Sequence, residues 1–526
     1  MGKASKLEKA VGRLIVGKLG GHELDADTAQ ALTAGTIGGI TLFKENARDL
    51  EQLVDLIASI HQQAIQPPLI AVDQEGGAVQ RFAHLLTPLP AAMALAAQAD
   101  LERVQMLAEL SASQLRLLGV NCVLAPVLDV VSNPLNPIVA TRSFGDDPQR
   151  VAKLGGIVSQ AIRDAGLLSV GKHFPGHGAT IEDSHSQLAV NESDARLLWR
   201  RELAPFRGCL DKLSAVLTGH IWLPAVDQQT LPASLSARVT SGLLRHYLGF
   251  QGLVMTDDLM MKGVSDRWGI EEAAVRAVLA GADVLLICGG IAQVRSAHRA
   301  IIEAVQSGRI EEMQIQAAAA RVERHLTALR PAPRRGAGAR AAREKRLAML
   351  AQRVKAGEEL VLSSSASSVG LLRGAVPELA SGDWTIVAPK HPSYGMHLSD
   401  YLRERLATKL EQGELSLQET RYSLSPAPEE ALAIAQQCRE RSCIFLTYRT
   451  LINEGQILLG RALSESSCMR ASVATDSPFD LIGLPNWDHC LATFDPSDLA
   501  MQALSMVLAG QIEPAGICPV SLQMRI

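Results

Sequence analysis

The sequence predicts an α/β protein in which a (β/α)8, TIM-like barrel is followed by a smaller α/β/α sandwich domain. Three observations carry this. Short β-type runs recur through the first 290 residues at intervals of roughly 25–50, each long enough for a helical crossover. A stretch rich in proline, glycine and arginine then changes the character of the chain. Beyond it, apolar strand patterns alternate with helical ones, as in a parallel sheet between helix layers. An open doubly wound sheet would also fit the first part, because it needs no particular strand count.

The β-type runs are Leu14–Lys18, Gly38–Phe43, Leu69–Val72, Asn121–Pro126, Leu168–Gly171, Ala215–Thr218, Leu253–Thr256 and Val284–Cys288. Eight is the number that closes a barrel of this kind. Between them, segments such as Leu101–Leu118 carry apolar residues on one helical stripe. The segment 330–346, RPAPRRGAGARAAREKR, has the composition of an exposed connector. It divides residues 1–329 from a second unit at 347–526. In that unit a helix is expected over Leu347–Leu362, strands at Thr385–Ala388, Ile444–Thr447 and Arg470–Ala474, and helices at Leu398–Glu411 and Glu429–Glu440.

Composition narrows the function. The 526 residues are 47% hydrophobic and 20% charged, which excludes a disordered chain and leaves enough apolar material for large cores. A net charge of −4, from 51 basic and 55 acidic residues, is too balanced for a general nucleic-acid binder, and 4% aromatics is too few for base-stacking platforms. Eight cysteines without a CxxC pair point to buried free thiols in a reducing compartment. The apolar stretch near the N-terminus is cut by Lys18 before a signal core forms, and no run reaches the roughly 18–20 apolar residues of a membrane span. A cytoplasmic protein is expected, with neither membrane nor nucleic acid as partner.

Active residues of such barrels sit where strands end, so polar residues closing each apolar run are the candidates. Asp73 closes the third run in AVDQEGGAVQRF, where Gly76–Gly77 permits a close turn. It either caps a following helix or accepts hydrogen bonds from ligand hydroxyls. Asp129 closes the fourth, with Arg142 soon after. Arg142 is suited to a charge-assisted pair of bonds to a ligand oxygen, or Asp129 is its buried partner. The fifth ends in VGKHFPGHGATIEDSH, which gathers Lys172, His173, His177, Asp183 and His185. The i,i+4 spacing of His173 and His177 raises a metal site, but Pro175 and Gly176 would break the helix needed to aim both rings at one ion. Asp183, two residues before His185, can orient one ring nitrogen and leave the other for proton transfer near neutrality. The alternative is a loop held by local hydrogen bonds. The seventh run ends in LVMTDDLMMKGV. Neighbours on an extended chain point opposite ways, so Asp257 is expected to face the barrel axis as a nucleophilic or charge-stabilising carboxylate, and Asp258 to cap the next turn.

These stretches together resemble glycoside hydrolase family 3, in particular its β-N-acetylglucosaminidase subgroup. The matching pieces are DQEGGAVQRF, RSFGDDP, KHFPGHGATIEDSH, TGHIWLP and MTDDLMMKG, with a fainter match in SPFDL and LAGQIEPAGICPVSL of the second unit. The resemblance implies a retaining, two-step hydrolysis of terminal β-linked N-acetylglucosamine. Asp257 would be the nucleophile, His185 the acid/base oriented by Asp183, and Asp73, Arg142, Lys172 and His173 the hydroxyl-binding residues. It implies a small-molecule glycoside as substrate, no metal and no organic cofactor. A phosphorylase, a β-glucosidase and an inactive sugar-binding relative are the alternatives. Two departures stand out: Ala78 where relatives commonly carry arginine, and Cys518 where leucine is common.

Overall fold

The computed structural model describes residues 5–184, 186–329, 339–390, 397–484 and 487–522. Eight strands follow one another through the first part of the chain: β1 (Ile15–Lys18), β2 (Gly39–Leu42), β3 (Leu69–Val72), β4 (Cys122–Val123), β5 (Leu168–Phe174), β6 (Ala215–Thr218), β7 (Leu253–Thr256) and β8 (Leu285–Ile287). All neighbouring pairs are parallel. β8 pairs back onto β1, and a bridge from Met255 to Val284 links β7 to β8, so the sheet curls into a TIM-like barrel rather than an open doubly wound sheet.

The two-residue period of the strands sorts their side chains. Val16, Ala71, Cys122, Val170, Leu217, Met255 and Leu286 form one buried cluster, closed off by Val322 and Leu326 of the helix Glu312–Ala328. Alternate residues such as Ile15, Ile40, Ile70, Leu285 and Ile287 belong instead to the cluster shared with the surrounding helices. Each fully buried Leu or Ile contributes about 1.5–3 kcal/mol.

The expected strands correspond to the observed ones to within one residue at each end, with two larger adjustments. β4 is shorter than the run Asn121–Pro126, because proline has no N–H for the ladder. β5 runs past Gly171 to Phe174, which keeps Lys172 and His173 on the strand rather than in the loop. The connector is also revised. Residues 330–338 lie outside the described residues, whereas 339–346 open a long helix, Ala339–Ser368. Alanine, arginine, glutamate and lysine are good helix formers there. Arg343 ion-pairs with Asp55 at 2.6 and 2.7 Å, and Arg346 donates to the Leu117 carbonyl at 2.8 Å.

The second part forms a six-stranded sheet: β9 (Gly370–Arg373), β10 (Gly382–Pro389), β11 (Leu415–Tyr422), β12 (Ser442–Thr447), β13 (Arg470–Ala474) and β14 (His489–Ala492). Its order is β9-β14-β13-β12-β10-β11, with only the β9–β14 pair antiparallel. One face packs Ile386, Ile444, Val473 and Leu491 against the helices Leu398–Arg405 and Asp498–Leu508. The other packs Val387, Phe445 and Ala474 against Pro428–Gln437 and Gly455–Ser466. That second cluster also takes in Met93, Ala94, Ala97, Val131 and Val139 from the barrel side. No helix of the described residues is long and apolar enough to cross a membrane. All eight cysteines are free thiols: five buried, Cys288 and Cys518 half-buried, Cys468 exposed.

Candidate active site

The C-terminal ends of β3, β5, β6 and β7 bring the chemistry together. Asp73 leaves β3, but no helix follows for it to cap. The chain turns into a hairpin of Gln74–Gly76 and Val79–Gln80. Gly76 and Gly77 have φ of 115° and 55°, and a Cβ on them would stand 2.3 Å from the Pro90 carbonyl oxygen and 2.5 Å from Ala91 Cβ. Only glycine meets both conditions. Ala78, at the hairpin tip, is exposed.

The hairpin presents Glu75, which sequence reasoning passed over. Its side chain is 3% exposed and grips the Arg142 guanidinium through both oxygens, at 2.8 and 2.9 Å. Lys172 Nζ lies 2.5 Å from Glu75 and 2.7 Å from Asp73, and Arg81 donates to Asp73 at 3.3 Å. Burial alone would raise the pKa of Glu75, but Arg142 and Lys172 outweigh it and hold the carboxyl far below its usual range. Conversely, burial would lower the pKa values of Arg142 and Lys172, and their carboxylate neighbours raise them instead. Glu75 is thus a carboxylate between two buried cations, with Asp73 on Lys172 and Arg81 at the edge.

Asp129 is not the partner of Arg142; that place is taken by Glu75. Asp129 is wholly buried and braces the end of β5, accepting from the backbone N–H of His177 at 2.7 Å and lying 2.7 Å from His173 Nδ1. Burial pushes its pKa up, yet the neighbouring His173 and the bonds it accepts bring it below the ordinary value. An ionised carboxylate only accepts, so Nδ1 of His173 carries the proton. His173 Nε2 is then left 3.4 Å from Arg142 Nη2.

His173 and His177 do not converge on a point. Their rings stand edge to face at 6.0 Å, and both His177 nitrogens are engaged, Nδ1 with Thr180 Oγ1 at 2.7 Å and Nε2 with Ser184 Oγ at 2.9 Å. Burial pushes the His177 pKa down to about 4. The Nε2 contact holds Ser184, the residue after Asp183, against His177 beyond the end of β5. Asp183 is half-buried, and its carbonyl accepts from Ser186 and Gln187 N–H groups at 2.9 and 3.0 Å, closing a tight turn. His185 lies outside the described residues.

Asp257 stands at the tip of β7, tied by its N–H to the Thr218 carbonyl at 3.0 Å. Its Oδ1 accepts from the Asp258 N–H at 2.9 Å. Burial would raise its pKa, but His173, His220, the Asp258 amide and Lys172 more than offset this and hold it below the ordinary carboxylate value. Asp258 points the other way, accepting from the Met260 and Cys288 N–H groups at 3.0 and 2.9 Å, and burial raises its pKa. The two aspartates do not form a dyad. His220, in TGHIWLP, is the second residue missed from sequence. It is buried between Ser234 Oγ and the Asp258 carbonyl, at 2.8 Å from each. Its place just past β6 was the available signal.

A strand-tip carboxylate held below the ordinary carboxylate range, at the mouth of a barrel, is chemically suited to stabilising a developing positive charge. A model described as the glycosyl hydrolase family 3 N terminal domain matches residues 6–325. The chain belongs to glycosyl hydrolase family 3 and is a glycoside hydrolase acting on O-glycosyl bonds. A beta-hexosaminidase of Thiobacillus denitrificans is 40% identical over 276 residues, covering 51% of this chain and 76% of that protein. One from Idiomarina loihiensis is 33% identical over 314 residues, covering 58% and 93%. Among solved structures, a glycoside hydrolase family 3 beta-N-acetylglucosaminidase from Paenibacillus sp. superposes with a TM-score of 0.86 at 32% identity, over 99% of this chain and 100% of that one.

Proposed function

We propose that this chain is a retaining exo-β-N-acetylglucosaminidase that removes terminal β-linked N-acetylglucosamine through a covalent glycosyl-Asp257 intermediate. The observation that carries the reading is the place of Asp257 at the tip of β7, its N–H tied to the Thr218 carbonyl and its Oδ1 to the Asp258 N–H. The charges of His173, His220 and Lys172 hold its carboxyl below the ordinary range. In the first step its carboxylate attacks the anomeric carbon while His185, oriented by Asp183, protonates the leaving oxygen. In the second, His185 takes a proton from water, which displaces the sugar from Asp257. An imidazole in that role leaves less negative charge near the nucleophile than a second carboxylate would. The charged network of Asp73, Glu75, Arg142 and Lys172, with His173, is the surface for the sugar hydroxyls and acetamido group. The names of the beta-hexosaminidase and beta-N-acetylglucosaminidase relatives support the aminosugar.

Muropeptides and short aminosugar oligosaccharides are the proposed substrates, in a cytoplasmic cell-wall recycling role that eight unpaired thiols support. The test is hydrolysis of a chromogenic β-N-acetylglucosaminide, with and without phosphate, by the wild type and by Asp257→Ala and His185→Ala. Rate losses of several orders of magnitude are expected, each tenfold being about 1.4 kcal/mol of barrier. Turnover that requires phosphate, or is confined to β-glucosides, would refute the reading.

A further inference from the structure

The second domain holds in place the barrel loop that carries Arg142. That loop, 131–145, is fastened on its barrel side by Asn136, whose Nδ2 donates to the carbonyls of His177 and Thr180 at 2.8 Å each. Its other side is gripped from across the domain boundary. Asp476, 1% exposed just beyond β13, accepts a hydrogen bond from Thr141 Oγ1 at 3.0 Å. The same carboxylate accepts from Arg449 Nε at 2.6 Å, and Arg449 Nη1 donates to the Pro137 carbonyl at 2.8 Å. Thr141 is the residue before Arg142, and both lie in the 3-10 turn Ala140–Arg142. Ala140 opens that turn with φ of 36°, a conformation that an L-residue keeps only when its surroundings enforce it.

A matching brace holds the opposite loop. Asp495, beyond β14, accepts from the Ala91 N–H at 2.9 Å, and Ala91 is the residue against which the Gly77 turn of the Glu75 hairpin is packed. The two barrel residues whose loops are held this way, Glu75 and Arg142, are the pair joined through two hydrogen bonds. We infer that Asp476, acting through Thr141, is a positioning residue for Arg142, so that the second domain tunes sugar binding without supplying a group that touches the sugar. This rests on the hydrolase reading above, with Arg142 on the substrate side of the site.

The experiment is steady-state kinetics of Thr141→Val, Asp476→Ala and Arg142→Ala, with Thr141→Val also placed in the Arg142→Ala background. Loss of an aligned charge-assisted hydrogen bond is expected to raise KM about tenfold while kcat stays within about twofold. In the Arg142→Ala background, Thr141→Val should change KM no further, because its effect passes through the guanidinium. Asp476→Ala removes a buried anion, and if it does not fold, Thr141→Val carries the test alone. A KM within twofold of wild type in Thr141→Val overturns the inference, as does an equal rise in KM with and without Arg142. The wild type is assayed first on β-N-acetylglucosaminide and β-glucoside substrates. A glucoside preference there would count against the aminosugar reading, and the KM ratios would then be read on the glucoside. A wild type that cleaves neither substrate sinks both.

Discussion

Glu75→Gln removes one negative charge from a buried cluster while keeping its shape. In the native cluster, Glu75 and Asp73 face Arg142 and Lys172 at 2.5–2.9 Å. After the change, Asp73 alone faces Lys172, and the Arg142 guanidinium is left buried with a neutral amide. Breaking a buried pair from one side typically costs about 3–5 kcal/mol, because the remaining charge has lost its solvation and gained nothing in return. Urea denaturation is the appropriate assay, since guanidinium would screen the charges under study. A loss of about 3–5 kcal/mol is expected for Glu75→Gln. The double variant Glu75→Leu/Arg142→Met removes both members and leaves Lys172 paired with Asp73, so it should lose less than Glu75→Gln despite carrying more changes. A loss below about 1 kcal/mol in Glu75→Gln would refute the reasoning, as would a double variant that loses the sum of its singles.

Two further predictions concern protons. His177 titrates near 4 in the folded protein against an ordinary 6.5, so the unfolded chain binds more protons between those values. Its contribution to stability is complete above pH 6.5 and falls by about 3 kcal/mol as the pH drops toward 4. The difference between wild type and His177→Gln in urea midpoints across this window should show it, and a pH-independent difference would count against it. Asp480 has the opposite sign. Its Oδ1 accepts from the Thr450 N–H at 2.8 Å, but Oδ2 is buried with no hydrogen-bond partner among the described residues. Burial raises its pKa from 3.8 to about 7. The folded state therefore binds more protons over that interval, and stability falls by about 4 kcal/mol as the pH rises through it. Asp480→Asn should be more stable than wild type at pH 8 and lose that advantage toward pH 4; destabilisation of the same size at both values would contradict this.

Much of the barrel was legible because its strands are contiguous apolar runs bounded by turns. Leu69–Val72, Ala215–Thr218 and Leu253–Thr256 are strands with the bounds read from sequence. The second sheet was harder. Leu415–Tyr422 pairs only with β10, at the sheet edge, and its QETR centre gives it a polar composition that hides the strand. In the site, a polar residue directly after an apolar run singled out Asp73 and Asp257, and both stand directly past strand ends. It misled only about the element after Asp73, because Gly76–Gly77 closes a hairpin where a helix start was one of the readings. Glu75 and Arg142 are 67 residues apart in sequence. Their pairing is a product of the assembled loops, and no local pattern announces it. Asp476 and Asp495 escaped for the same reason, lying more than 300 positions from the groups they grip.

The cluster that runs from Phe445, Phe479 and Trp487 into Met93, Ala94, Val131 and Val139 has a bearing on how the molecule can be divided. Its methyls and rings belong to two stretches of polypeptide with β5 to β8 of the barrel between them, yet they keep one another dry. A cut at the junction would strip the cover from this flank of the barrel, so the first domain of this enzyme is moulded to its companion rather than merely tethered to it.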